Sequence, residues 1–231
     1  MIKSFFLRNI WAHIPNPVKR LKTVFYFLRT LRSLDRVEID NLHSWLNRGF
    51  APPSPAFVKR NLLAKWGGCE VWIESGTYLG ETTEFLSNFA KKVISIEPQL
   101  QYAQAARKKF EEVEHISIMN GLSEDLLPTV LTDLIHQELK DVSFWLDGHF
   151  SADNTFKGPI DTPIQYELEA ISKLLPQFAV VTIFVDDVRC FYQMNPEYSD
   201  YPSVRYLSDW ANSHGLFWTI EQDIFIATNR I

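Results

Sequence analysis

The sequence predicts an α/β fold: a doubly wound, mostly parallel sheet ending in a C-terminal antiparallel hairpin and preceded by an N-terminal helical arm. Three observations predict it. From Cys69 onward, short apolar strands alternate with helical segments, the pattern of a parallel sheet covered on both faces. Near the end, the apolar runs 217–222 and 224–228 are separated by Asp223 alone, which is hairpin spacing. Ahead of the alternation lies a basic stretch with helical periodicity, closed off by Pro52, Pro53 and Pro55.

The arm is set apart by charge. Residues 1–36 hold eight Lys or Arg and one acid, Asp35, whereas the rest holds fifteen basic and twenty-seven acidic residues. Within it Val18, Leu21, Phe25 and Leu28 recur at helical spacing, with Lys19, Arg20, Lys22, Arg29 and Arg32 between them. Pro15 and Pro17 mark the start of that helix. Two readings stand: a helix that packs on the domain or on a second subunit of a homo-oligomer, or an interfacial helix lying on an anionic membrane. No nucleic-acid-binding module accompanies the charge, so a nucleic-acid partner is not expected. The expected division is an arm and Pro-rich linker over 1–55 and a catalytic domain over 56–231.

Composition narrows the class. A chain of 231 residues with 46% hydrophobic content can bury a full core. Cys69 and Cys190 have neither metal-ligand spacing nor the look of a disulfide framework, which points to a reducing cytoplasm. No run of about 18 uncharged apolar residues suggests a membrane span. Arg8 interrupts the apolar start before a signal-peptide core forms. The expected location is cytoplasmic, with the arm able to reach the inner membrane surface.

Taken in order, a helix over 56–66 leads through Gly67 and Gly68 into strands at 70–74, 93–97, 115–119, 142–147 and 180–186. Helices are expected at 81–89, 100–112, 123–137 and 163–175, with a last one at 203–214 before the hairpin.

The first strand carries the most informative stretch, VWIESGTYLG over 71–80. It ends in Glu74, and a turn follows with Gly76, Thr77 and Gly80 at the mouth of a helix. Glycine there permits positive φ or a close backbone approach. The helix start offers free N–H groups and a positive dipole end to an anion. An ordinary strand-to-helix turn explains the same residues. The second strand also ends in an acid, Glu97, just over twenty residues after Glu74, the length of one βαβ unit. In dinucleotide folds an acid at that place holds ribose hydroxyls. The first turn lacks the G-x-G-x-x-G that cradles a pyrophosphate, so an adenosyl ligand without a phosphate chain fits better.

On these residues the chain resembles the class I S-adenosylmethionine-dependent methyltransferases, which have a Rossmann-like sheet of this kind. Their first motif is acid-x-Gly-x-x-x-Gly, and their second strand ends in a ribose-binding acid. The resemblance covers roughly 66–229. It implies that Glu74, Gly76, Thr77 and Gly80 hold the methionine end and Glu97 the ribose. Gly121 and Ser123, after the third strand, would lie against the adenine, although Ser123 is equally well read as a helix N-cap.

Further acids end the fourth and fifth strands: Asp147, in LDGH, and Asp186 with Asp187, in VDDV. Carboxylates gathered without water repel one another unless a cation or protons intervene. Mg²⁺ with oxygen ligands is one solution; pairing with backbone N–H groups or Arg189 is another. These segments look like the metal-binding strand ends of the Mg²⁺-dependent O-methyltransferases of the catechol and macrolide-sugar types. The resemblance implies Asp147, Asp186 and Asp187 as metal ligands and His149 as general base. The acceptor it implies is a hydroxyl on a small molecule or glycan. Here the second site reads Asp-Asp, where the catechol branch has Asp-Asn. Histidine suits proton abstraction near neutrality; the other five histidines lie away from the strand ends. Two competing readings remain: a metal-independent methyltransferase, and a non-catalytic scaffold recruited through the arm. Lys157 and Asp161, on the long loop after His149, and Tyr192, Tyr198 and Tyr201 are candidate substrate contacts.

Overall fold

The computed structural model describes residues 36–148, 162–192 and 196–230. The basic arm up to residue 35, His149, Lys157 and Asp161 lie outside the described residues. The chain divides into two compact units, Met1–Gly68 and Cys69–Ile231.

In the first unit, helix α1 (Arg36–Asn47) and helix α2 (Ala56–Trp66) flank the Pro-rich stretch. Arg60 of α2 pairs with Glu38 of α1 at 2.9 Å, and Trp45 is buried with Phe50 edge-on to it at 4.9 Å. The unit boundary falls after α2, so that helix groups with the arm side of the chain.

The second unit alternates as the sequence predicts. Its elements are β1 (Val71–Ser75), α3 (Glu81–Ser87), β2 (Lys92–Glu97), α4 (Leu100–Lys109), β3 (Ile116–Asn120), α5 (Ser123–His136) and β4 (Asp141–Leu146). They continue with α6 (Ile164–Leu174), β5 (Val180–Val185), α7 (Val204–Ser213), β6 (Phe217–Glu221) and β7 (Ile224–Thr228). The seven strands run in the order β3-β2-β1-β4-β5-β7-β6. The first five in that order are parallel, and β7 is antiparallel to both β5 and β6. This is the Rossmann-like sheet with a terminal hairpin that the resemblance implies.

β1 is central and buried along its whole length, as a parallel strand covered on both faces must be. Successive side chains take opposite faces. Val71 and Ile73 join Leu127 and Leu131 of α5 and Leu168 and Ile171 of α6 in the main core. Trp72 points the other way, stacked on Phe184 at 5.6 Å and edge-on to Phe89 at 6.4 Å. The same alternation sends Glu74 and Ser75 to opposite faces at the strand end.

The hairpin differs by one residue from the sequence reading. Its turn is Gln222-Asp223, both with positive φ (50° and 72°), so Gln222 leaves the strand. A two-residue turn of this hand matches the twist of the flanking strands, which a one-residue connection does not.

Phe144 of β4 is fully buried in the main core. Phe144→Ala should lower the unfolding free energy by about 3–5 kcal/mol, the usual cost of removing a large buried aromatic. Urea melts of the two proteins check this.

Candidate functional site

The carboxyl ends of β1, β2, β4 and β5 and the turns that follow them form the candidate site. Glu74 is fully buried, and its Oε2 accepts hydrogen bonds from the hydroxyls of Thr83 on α3 (2.5 Å) and Ser95 on β2 (2.6 Å). Its Oε1 has no hydrogen-bond partner among the described residues. Burial pushes its pKa from 4.5 up to about 8, with the two hydroxyls pulling the other way. The carboxyl is therefore neutral at pH 7. Thr77 is buried beside it, its Oγ1 2.5 Å from Ser95 Oγ.

The glycines of the turn have separate reasons to be glycine. Gly76 has φ +88°, and a Cβ there would lie 2.8 Å from the Asp147 carbonyl oxygen. The backbones after β1 and β4 thus touch at the point where the sheet opens. Gly80 has φ +72° at the N-cap of α3, where a Cβ would meet the Phe110 ring at 2.8 Å.

Glu97 sits at the end of β2, only 4% exposed. Its Oε2 accepts the Tyr78 N–H at 2.8 Å and its Oε1 the Gln99 N–H at 2.9 Å. Each oxygen keeps a further lone pair for a ligand hydroxyl. Tyr78 occupies a left-handed conformation (φ 46°), an uncommon state for an aromatic residue. Its ring leans edge-on to Tyr102 of α4 at 4.9 Å. The Asn120 amide donates to the Glu97 and Pro98 carbonyls at 2.9 and 3.1 Å, which ties the end of β3 to the same corner.

Gly121 follows β3, its N–H donating to the Glu97 carbonyl at 3.1 Å. The N-cap reading of Ser123 is corrected. Leu122 is the N-cap of α5, with no side-chain cap, and Ser123 instead donates to Glu167 Oε1 of α6 at 2.6 Å. A carboxyl within reach is a stronger acceptor than a donor-only helix terminus can offer a hydroxyl proton. Glu167 is 1% exposed, and burial pushes its pKa up to about 7 despite the Ser123 hydrogen bond. Sequence reasoning missed Glu167. The available signal was an acid on the apolar stripe of α6, between Ile164 and Leu168 and Ile171.

The acids after β5 have partners within the protein. Asp186 Oδ1 accepts the N–H of Asp187 at 2.7 Å. Asp187, in a left-handed conformation (φ 55°), commits both oxygens to the Arg189 guanidinium, at 2.5 and 2.7 Å. Arg189 also binds the Asp223 carboxylate in the β6–β7 turn, and its backbone N–H donates to Asp223 Oδ1 at 2.8 Å. These partners hold the Arg189 pKa above its ordinary value against the opposing effect of burial. Asp147 follows β4, its N–H bonded to the Ser75 carbonyl at 3.2 Å, and its charge disfavours the ionised forms of Glu74 and Glu167. Among the described residues no group of three or more His, Cys, Asp or Glu is placed to hold a metal ion. Tyr201 is buried, and with Tyr198 and Phe191 it forms an edge-to-face cluster, while Tyr192 is exposed. Both cysteines are free and buried. No described helix is long and apolar enough to cross a membrane.

No family model matches the chain, and no curated protein matches it. Solved structures that it resembles include YcgJ from Bacillus subtilis, at 12% identity over 70% of this chain and 68% of that one, TM-score 0.43. An rRNA methylase from Streptococcus thermophilus aligns at 15% identity over 77% of this chain and 96% of that one, TM-score 0.40. The Methanococcus jannaschii fibrillarin pre-rRNA processing protein aligns at 13% identity over 70% and 66%, TM-score 0.43. The functional reading therefore rests on the strand-end site itself.

Glu74 supplies a pH test. Its carboxyl is held neutral in the fold, so its stabilising contribution is complete below about 4.5 and is lost as pH rises through about 8. Glu74→Gln is neutral throughout. The melting temperature of the wild type relative to this variant should fall as pH rises through that window and level off above it. Glu167, present in both proteins, cancels in the difference. A difference that stays constant with pH contradicts the assignment.

Proposed function

We propose that this chain is an S-adenosylmethionine-dependent methyltransferase that methylates a hydroxyl on a small-molecule or glycan acceptor. The observation that carries the reading is Glu97: a buried carboxylate at the end of β2, aimed by two backbone amides, beside the glycine turn that ends β1. A carboxylate fixed in this way pairs well with a vicinal diol, because each of its oxygens retains an acceptor site. The absence of a pyrophosphate-cradling glycine pattern favours an adenosyl ligand over a dinucleotide.

In this reading the ribose bonds Glu97, and the turn with Gly76, Thr77 and Gly80 carries the methionine end. Gly121 and Ser123 border the adenine. Glu74 acts behind the turn: buried and neutral, it fixes Thr83 and Ser95 and so holds Thr77 in place. Asp147 and His149, which follow β4 in the sequence, are assigned to the acceptor. Bound S-adenosylmethionine would supply an electrophilic methyl group to the acceptor hydroxyl, His149 would take the hydroxyl proton, and S-adenosylhomocysteine would be the product.

A Mg²⁺ ion, which the resemblance implies, would have to share its donors with protein groups. Arg189 occupies both Asp187 oxygens, and Asp186 gives one of its own to the next amide. We assign no step to a metal. The basic arm is proposed to serve location or assembly, since its charge is opposite to that of the rest of the chain.

Titration calorimetry should detect binding of S-adenosylmethionine and S-adenosylhomocysteine. Glu97→Ala should weaken it by about 1.5–3 kcal/mol, the range for hydrogen bonds to a charged group. Wild-type protein that gives no signal with either ligand at millimolar concentration ends this reading.

Cofactor affinity should be unchanged after exhaustive chelation, and titration with Mn²⁺ should show no site that depends on Asp187. Loss of Mn²⁺ binding in Asp187→Asn relative to wild type would restore the metal expectation.

A further inference from the structure

We infer that Glu167 is a positioning residue of the cofactor site: one buried carboxyl from α6 ties the start of α5 to the backbone that follows β1 and β4. This rests on the cofactor reading above, because Ser123 and the β1 turn are the residues it would hold.

Three observations converge. Glu167 donates no charge to solvent: it is 1% exposed on the apolar stripe of α6, where a leucine would pack without cost. It accepts the Ser123 hydroxyl at 2.6 Å, a polar contact between α5 and α6. It also walls the backbone after β4. A Cβ on Gly148 would lie 3.3 Å from Ser75 Oγ, 3.4 Å from Pro163 Cγ and 3.5 Å from Glu167 Oε1. Ser75 is 2% exposed, and its hydroxyl, turned toward the same point, favours the ionised form of Glu167 as the Ser123 hydroxyl does.

The geometry makes Glu167 the meeting place of three chain segments. Gly148 follows Asp147, whose carbonyl oxygen is the atom that Gly76 must be glycine to approach. Movement of the backbone after β4 therefore reaches the β1 turn directly. Ser123 opens α5 right after Gly121, so its side chain fixes where that turn sits over the sheet. Glu124 of α5 and Asp147 at the end of β4 are the charged groups that face Glu167, and both disfavour its ionised form. A buried polar group kept against these costs is retained where a packed apolar residue would not hold the same geometry.

The test compares Glu167→Gln, which can still accept the Ser123 hydroxyl, with Glu167→Leu, which cannot. Affinity for S-adenosylhomocysteine is read by calorimetry, and amide hydrogen exchange is read at residues 121–124 and 147–148. Glu167→Leu should weaken binding about ten- to hundredfold, the effect of losing a hydrogen bond to an ionisable partner, and should speed exchange at both segments. Glu167→Gln should stay within about threefold of wild type. Adding Ser123→Ala to Glu167→Leu should speed exchange at 147–148 no further, because the tie is already cut.

Wild-type affinity and unchanged exchange in Glu167→Leu would overturn the inference. So would a glutamine variant as damaged as the leucine variant, or exchange at 147–148 that speeds further in the double variant. Wild-type protein that binds no cofactor would refute the cofactor reading, and exchange alone would then decide the tie. If Glu167→Leu does not fold, Ser123→Ala cuts the same tie, and unaltered exchange at 147–148 in that variant counts against it.

Discussion

Carboxyl groups at the ends of buried parallel strands lose their water, and the strand-end half of this protein is organised around replacing it. β1, β2, β4 and β5 each lead into an acid, and most of these acids are nearly inaccessible. An unpaired charge in such a place is strongly unfavourable, so each group must find donors, a counter-charge or a proton. The solution differs from strand to strand, and the differences divide the site into two halves.

On the β1–β2 side, neutralisation is by protonation and by amides. Glu74 keeps its proton and takes two hydroxyls, which fastens the helix after β1 to the neighbouring strand. Glu97 takes two backbone N–H groups, which aim its oxygens and define the corner of the turn. One acid is held by side-chain hydroxyls and the other by backbone amides, although the sequence presents them as equivalent strand-end carboxylates. On the β4–β5 side, neutralisation is by a cation that the chain supplies itself. Arg189 bridges Asp187 and Asp223, and so joins the turn after β5 to the C-terminal hairpin.

Between the two halves the backbones after β1 and β4 come into contact at Gly76, and Glu167 closes the floor beneath them. A cofactor lying across such an opening would meet groups already held in place by protein, among them the Glu97 carboxyl. It gains affinity from groups that need no reorientation on binding, which is the benefit of preorganisation.

The alternation of strands and helices and the hairpin were legible in sequence, because periodicity and turn residues report local backbone preference. Glu74, Gly76, Gly80 and Glu97 were legible as a group for the same reason: they mark where strands stop and turns begin. The partners of those residues were not legible. Thr83 and Ser95 look like ordinary positions until the fold sets them around Glu74, and Glu167 looks like one acid on a helix until α6 packs against α5. Likewise, Asp187 beside Asp186 suggests a metal pair in one dimension, whereas Asp223, thirty-odd residues later, recruits Arg189 to it in three. Sequence by itself determined which residues would be carboxylates at strand ends. Only the tertiary structure decided how each is neutralised, because that depends on donors brought in from distant segments once water has been removed.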